Sequence, residues 1–101
     1  MNEYLAWMRK FYPEGNPADF NNGYGYSAAQ ALVAVLKKCG DDLTRENLMR
    51  QACSIRDLEL PLLLPGIKVN SSPTSHRTIK QAQMERFDGS RWVPIGEVFQ
   101  P

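Results

Sequence analysis

The sequence has few of the residues that build metal or cofactor sites. It contains two cysteines, Cys39 and Cys53, and one histidine, His76, among 101 residues. The cysteines do not form a C-x-x-C pair, whereas a structural zinc site needs four ligands that usually come in closely spaced pairs. His76 lies in a polar stretch without an evident partner, so we interpret it as solvated. We therefore predict no metal site and no cofactor.

Catalytic motifs are also missing. The sequence has no G-x-S-x-G, no H-E-x-x-H and no P-loop. Asp57 and Glu59 form a loose carboxylate pair in a proline-rich segment, where we expect both to be solvated. We predict no catalytic residue, and the chain is not expected to be an enzyme.

Neither strong charge nor a long apolar run is present. The net charge is +1 and the basic residues are scattered, which argues against a nucleic-acid partner. The longest apolar run, Ala31 to Leu36, is far shorter than the roughly 20 residues of a membrane-spanning helix. The first 15 residues lack the pattern of a signal peptide. The chain as given is thus expected to be cytoplasmic if expressed alone.

Two interpretations of the cysteines remain open. Cys39 and Cys53 can be free thiols, or they can form a disulfide in an oxidising compartment. Such a bond would close a loop of about 15 residues and stabilise the fold by roughly 3 kcal/mol.

The length and composition are those of one small globular domain: 43% of the residues are hydrophobic and 23% are charged. Residues 1–101 are interpreted as a single partial domain of α/β class, or α+β as an isolated fragment. Residues 1–55 form its helical part, and residues 56–101 form an extended segment and a β-hairpin.

Apolar spacing and capping residues predict helices over residues 2–12, 20–39 and 45–54. Asp19 and Thr44 are suited to cap the second and third of these helices. Gly40 suits the end of the second helix. The second helix is apolar on nearly every face in its middle, which is typical of a helix buried on more than one side. In the third helix, Leu48, Met49 and Ala52 are expected to face inward.

After residue 55 the pattern changes to extended chain. A strand is predicted near residues 66–70. Two runs, 79–87 and 91–99, flank Asp88-Gly89 and predict a hairpin. Pro94 and Gly96 indicate that its last strand is an edge strand or is bulged. Trp7 and Trp92 are expected in the core or at an interface.

The stretch "GYGYSA", residues 23–28, fits the dinucleotide pattern G-x-G-x-x-G/A. It follows a loop rather than a buried strand, which excludes that interpretation. Two other interpretations of this stretch stay open. Tyr24 and Tyr26, with Asn22, can line a ligand-binding cleft at the head of a helix. Alternatively, the tyrosines pack on a neighbouring helix and the glycines permit close approach.

The order of the segments resembles a known family. "GYSAAQALVAVLKKCGDDLTRENL", "LLPGIKVN" and "RFDGSRW" are similar, in this order and spacing, to the C-terminal part of type I periplasmic solute-binding proteins. The closest likeness is to the branched-chain amino acid group, which serves ABC transporters. No single segment is as specific as a catalytic motif. The resemblance as a whole extends from Tyr4 to about Val98.

The resemblance implies a two-lobed α/β protein that holds a small molecule between its lobes and docks on a membrane permease. The chain would supply three helices, a strand and a hairpin of that fold, and the family would place it in the periplasm. It implies a small-molecule ligand, an amino acid or an aromatic or aliphatic carboxylate, with Tyr24 and Tyr26 near the cleft. The alternative is a small self-associating module, a homo-oligomer without ligand binding.

Overall fold

The computed structural model describes residues 1–100. They form three helices followed by a two-stranded antiparallel sheet, a small mixed α+β arrangement. The elements are α1 (Asn2–Phe11), α2 (Phe20–Cys39), α3 (Arg45–Ala52), β1 (Glu85–Phe87) and β2 (Trp92–Pro94). The three predicted helices and the predicted hairpin are confirmed. α2 has the predicted bounds, whereas α1, α3 and the two strands are shorter than predicted.

Side chains and turns set the helix boundaries as predicted. The Asp19 carboxylate accepts the backbone N–H of Asn21 at 2.8 Å at the start of α2. The Thr44 hydroxyl accepts the backbone N–H of Asn47 at 3.3 Å at the start of α3. Gly40 has a φ of 58° at the end of α2, a conformation that residues with a Cβ rarely adopt. Both helices therefore begin and end where local chemistry requires.

The core lies where α2 and α3 meet the segment after them. Val35 and Cys39 of α2 pack with Ile55 and Val69 in one buried cluster. Partly buried side chains pack against it: Leu48, Ala52, Leu58, Leu60 and Leu63. The expectation for Leu48 and Ala52 is thus confirmed. The expectation for Met49 is wrong, because its side chain is 54% exposed on the side of this short helix away from the cluster.

Helix α1 is attached to the start of α2. Tyr4 and Met8 are its buried residues. The Tyr4 hydroxyl donates to the carbonyl of Pro17 at 3.0 Å, which ties α1 to the loop before α2.

The strand predicted near residues 66–70 is wrong. Within residues 1–100, this segment takes part in a single antiparallel bridge between Leu58 and Val69. Pro61 and Pro65 both precede the segment and have no N–H to donate, so the ladder does not extend from the bridge toward them. The N–H of Lys68 is instead taken by the side-chain carbonyl of Gln81 at 2.7 Å.

The hairpin is organised by its turn. The Asp88 carboxylate accepts the backbone N–H groups of Ser90 and Arg91 at 2.9 and 3.0 Å, and Gly89 has a φ of 106°. The N–H of Arg91, followed by the groups of Ser90, lowers the pKa of Asp88 below its ordinary value. β2 ends at Pro94, and Gly96 follows with a φ of 68°, in agreement with an irregular last strand.

The molecule is a thin plate that measures 51 × 38 × 17 Å. Its accessible surface is 7874 Å², whereas a folded chain of this mass exposes about 5,800 Å². Trp7 and Trp92 are 42% and 65% exposed, so neither is a core residue. The difference in area is roughly 2,000 Å², and many large hydrophobic side chains lie on the surface.

Candidate functional site

The segment "GYGYSA" lies inside α2 and does not form a phosphate loop. α2 begins at Phe20, three residues before Gly23. The N–H of Gly23 is bonded to the carbonyl of Asp19 at 3.3 Å, and that of Asn21 to the Asp19 side chain. Because these amides already have partners, they do not form the cradle that a pyrophosphate needs. A different arrangement, two grooves on either side of α2, surrounds these residues.

The first groove, which we call the Tyr26 groove, runs along the middle of α2. Its volume is about 490 Å³. Helix α1 contributes Trp7, and the extended segment after α3 closes the opposite side. The lining residues on α2 are Gly25, Tyr26, Ala29, Gln30, Val33, Ala34 and Lys37, and those opposite are Leu58, Glu59, Leu60 and Pro61.

The second groove, which we call the Tyr24 groove, lies at the N-terminal half of α2. Its volume is about 600 Å³. Phe20, Gly23 and Tyr24 form one wall, and apolar side chains of the segment 55–79 form the other. A Cβ on Gly23 would lie 3.7 Å from Leu62 Cδ1, so the wall approaches α2 closely at this glycine.

The three residues predicted to bind a ligand are not brought together in one groove. Successive residues of a helix are turned by about 100°, so Tyr24 and Tyr26 point to different sides. Asn22 lines neither groove, and its amide donates to the carbonyl of Asn16 at 2.9 Å. The role of these residues in ligand binding stays a prediction.

Both tyrosines also pack against aromatic neighbours. The Tyr26 ring centroid lies 5.1 Å from that of Tyr4 and 5.5 Å from that of Trp7. The Tyr24 ring is stacked on Phe20 with centroids 5.9 Å apart. The pairs of Tyr26 with Tyr4 and Trp7 stabilise the packing of α1 on α2, whereas the pair of Tyr24 with Phe20 lies within α2. The packing interpretation and the cleft interpretation are therefore compatible.

Gln30 is a polar residue of the Tyr26 groove that sequence analysis missed. Its Oε1 is buried and has no hydrogen-bond partner within the described chain. An unpaired buried acceptor costs about 1–3 kcal/mol, and Oε1 can meet a donor in the groove only after the Gln30 side chain rotates. A lone glutamine within an apolar helix gives no sequence signal for this role, because its burial depends on segments distant in the chain.

A thiol and an imidazole meet outside both grooves. Cys53 Sγ lies 3.6 Å from Nε2 of His76. The sequence-based view of His76 as a histidine without a partner is therefore wrong. The two residues are 23 positions apart in the chain, which explains why no local pattern indicated the contact. Both cysteines are free thiols, with Cys39 buried and Cys53 partly exposed.

Other classes of site are not found in the described part of the chain. Residues 1–100 hold no group of three or more histidine, cysteine or acidic side chains that could bind a metal ion. None of the helices in this range combines the length and apolar character needed to cross a membrane.

No protein-family model matches the chain, and neither a curated protein nor a solved structure matches it.

Proposed function

We propose that the chain is a non-catalytic part of a solute-binding protein of the type I periplasmic class, which serves ABC transporters in the uptake of amino acids or related small carboxylates. The observation that carries the proposal is the uncovered apolar surface of α2. Leu32, Val33 and Leu36 are exposed on this helix, although its composition is that of a helix buried on several sides.

The resembled family offers a reason for this surface. In a two-lobed α/β protein, helices cover the faces of a sheet, and a helix of this composition lies between the sheet and its neighbours. About 25 cal/mol is gained per Å² of apolar area removed from water. Covering the exposed parts of Leu32, Val33 and Leu36 would therefore stabilise the folded chain by several kcal/mol, which is comparable to the stability of a small domain.

The Tyr26 groove supports a small zwitterionic ligand. Gln30 Oε1 is an unused acceptor that fits an ammonium group. The rings of Trp7 and Tyr26 line the same groove, and aromatic faces attract cations. Lys37 at the groove lining supplies a positive charge for a carboxylate. Closure of a second lobe over the groove and docking on a permease would complete the transport function.

A thermal unfolding scan of the chain tests this proposal. The chain is heated alone and with a panel of amino acids and of aromatic and aliphatic carboxylates. A ligand at 100 times its dissociation constant stabilises the folded state by about 2.7 kcal/mol. For a domain of this size each kcal/mol raises Tm by about 4–8 °C. A shift by one ligand class is the expected result, and no shift with any of them counts against retained binding.

Two matched variants identify the groove that binds. We expect Tyr26→Ala and Gln30→Leu to reduce the ligand-induced shift, because both residues line the Tyr26 groove. Tyr24→Ala, on the other side of α2, should leave the shift intact. The reverse pattern would assign binding to the Tyr24 groove.

Self-association is the second candidate function, and the excess surface favours it specifically. The chain exposes roughly 2,000 Å² more than a closed chain of its mass, and a standard protein interface buries about 1,200–2,000 Å² in total. A second copy placed on the Leu32 and Leu36 face would remove part of this excess surface from water.

Sedimentation analysis separates the two candidates. A concentration-dependent dimer that Leu32→Glu together with Leu36→Glu disrupts would support the self-associating module. Leu43→Glu, at an exposed leucine before α3, is the matched control and should leave the association unchanged. A monomer at all concentrations rules out this candidate.

A further inference from the structure

Cys53 and His76 are brought together at the end of α3, although neither belongs to a groove wall. Cys53 is the residue that ends the helix, and its Sγ lies 3.6 Å from His76 Nε2. With the proton of the neutral imidazole on Nδ1, Nε2 is free to accept the thiol hydrogen. The pair therefore has the two parts of an activated thiol, a sulfur and an adjacent proton acceptor.

The position of the His76 loop is fixed by a buried serine. The Ser71 side chain is buried. Its hydroxyl donates to the carbonyl of Ala52 at 2.5 Å and accepts the N–H of Ile55 at 3.0 Å. The Ser71 N–H donates in turn to the carbonyl of Ile55 at 3.0 Å. These bonds join the loop directly to the residues on either side of Cys53.

Two further sets of backbone bonds shape the loop itself. Ser72 and Ser75 exchange N–H···O bonds of 3.0 and 3.2 Å. The N–H of Asn70 donates to the carbonyl of Thr78 at 2.9 Å and closes the loop at its base. Because the loop is closed at both levels, its backbone keeps His76 close to the end of α3, within reach of the thiol.

The two cysteines differ in access and in neighbours. Cys53 is partly exposed, and His76 is exposed. Cys39 is 6% exposed and packs in the core cluster. Cys53 also lies at the negative end of the α3 dipole, which does not favour a thiolate. Proton acceptance by His76 is therefore the feature that sets the reactivity of Cys53 apart.

We propose that Cys53 is a modification site that undergoes thiol–disulfide exchange with small disulfides, with His76 as the proton acceptor. The thiol proton passes to Nε2 of His76, and the sulfur attacks one sulfur of the disulfide. The disulfide bond breaks as the new S–S bond forms. The departing thiolate takes the proton from the imidazolium, so the products are a mixed disulfide on Cys53 and one free small thiol.

The test uses the full chain with oxidised glutathione as the probe and mass spectrometry of the two cysteine peptides as the readout. We expect Cys53 to form the adduct and Cys39 to remain unmodified while the chain is folded. His76→Ala should slow modification of Cys53 on the order of tenfold, a smaller effect than general bases supply in enzymes. His76→Gln, which keeps a polar side chain but no base, should be equally slow.

Arg77→Ala is the matched control on the same loop. It removes a neighbouring exposed charge and keeps the imidazole, and we expect a change of less than about twofold because exposed charges are screened by salt. Equal rates in the wild type and both His76 variants would overturn the proposal. So would modification of Cys39 as fast as that of Cys53. Far-UV circular dichroism of each variant checks that the exposed substitutions leave the helices intact.

Discussion

The helical part of the chain and its C-terminal hairpin region both contain large apolar side chains. The two regions differ in whether these side chains are buried. In the first, Val35, Cys39 and Ile55 form a buried cluster with Val69 of the segment that follows. From residue 72 to residue 100 no residue is buried, and Phe87 and Trp92 contact each other on the surface. The hairpin thus owes its form to local hydrogen bonds, whereas the helices owe theirs to packing. An apolar sequence alone does not produce a core where no second layer is present.

The largest expected difference in stability between the regions comes from replacing one isoleucine by alanine in each of them. Ile55→Ala removes side-chain volume from the buried cluster and should destabilise the chain by about 2–5 kcal/mol. Ile95→Ala makes the same chemical change at an exposed position of the hairpin region and should cost less than about 1 kcal/mol. Urea unfolding followed by far-UV circular dichroism measures both. Similar losses would mean that the hairpin region is packed against something in solution.

Replacing serine by alanine gives the next largest difference in stability between the regions. Ser71→Ala leaves the N–H of Ile55 and the carbonyl of Ala52 without their buried partner, at a cost of about 1–3 kcal/mol. Ser90→Ala removes an exposed hydroxyl from the hairpin turn, where water can replace it, and stability should stay close to that of the wild type. The same urea titration is the measurement, and a neutral Ser71→Ala would contradict the role assigned to this hydroxyl.

Replacing glycine by alanine should change the stability of the chain in opposite directions in the two regions. Gly25 is helical, and an added Cβ there would meet no atom within 4 Å in the described structure, so Gly25→Ala should stabilise α2 by about 0.5–1 kcal/mol. Gly89 has a φ of 106° in the hairpin turn, and Gly89→Ala should destabilise by about 1 kcal/mol or more. Thermal unfolding checks both signs. A gain at Gly89 would show that this turn is not formed in solution.

Lowering the pH should have the smallest effect on stability. It acts through one aspartate with a lowered pKa in each region. The pKa of Asp42 is lowered by the Thr44 hydroxyl and N–H, and that of Asp88 by the N–H groups of Arg91 and Ser90. Because both pKa values are lower in the folded chain, the stabilisation is complete above the ordinary aspartate pKa. It is lost as the pH falls through the lowered values.

Trp92 reports on the hairpin in a Trp7→Phe background, since the chain has two tryptophans. We expect its fluorescence to change at acidic pH in the parent and to change less in Asp88→Asn. An identical acid transition in the two proteins would exclude Asp88 as its cause.

Local chemistry explains which parts of the fold were predictable from sequence. The caps at Asp19 and Thr44 and the turn at Asp88 involve partners within three residues, so a sequence pattern contains all the information. The strand near residues 66–70 was wrong because its pairing depends on a distant segment. Leu58 meets Val69 once, and Pro61 and Pro65 prevent a longer ladder.

The candidate sites also divide into residues that the local sequence indicates and residues whose contacts depend on distant segments. Tyr24 and Tyr26 were singled out because they lie in a recognisable stretch. Their role in ligand binding stays a prediction, and helical geometry turns them into separate grooves. The buried acceptor of Gln30 and the contact of Cys53 with His76 were missed. Both depend on tertiary neighbours, which a single sequence without alignment does not give.

The Ser71 hydroxyl also has a consequence for the order of folding. It reaches the carbonyl of Ala52 across 19 residues of chain, and closing a flexible loop of that length costs about 2–3 kcal/mol of chain entropy. α2 and α3 are close in sequence and can associate first, as local contacts generally do. Closure of the loop at Ser71 then completes the cluster around Ile55, and we expect this step, rather than helix formation, to limit the folding rate.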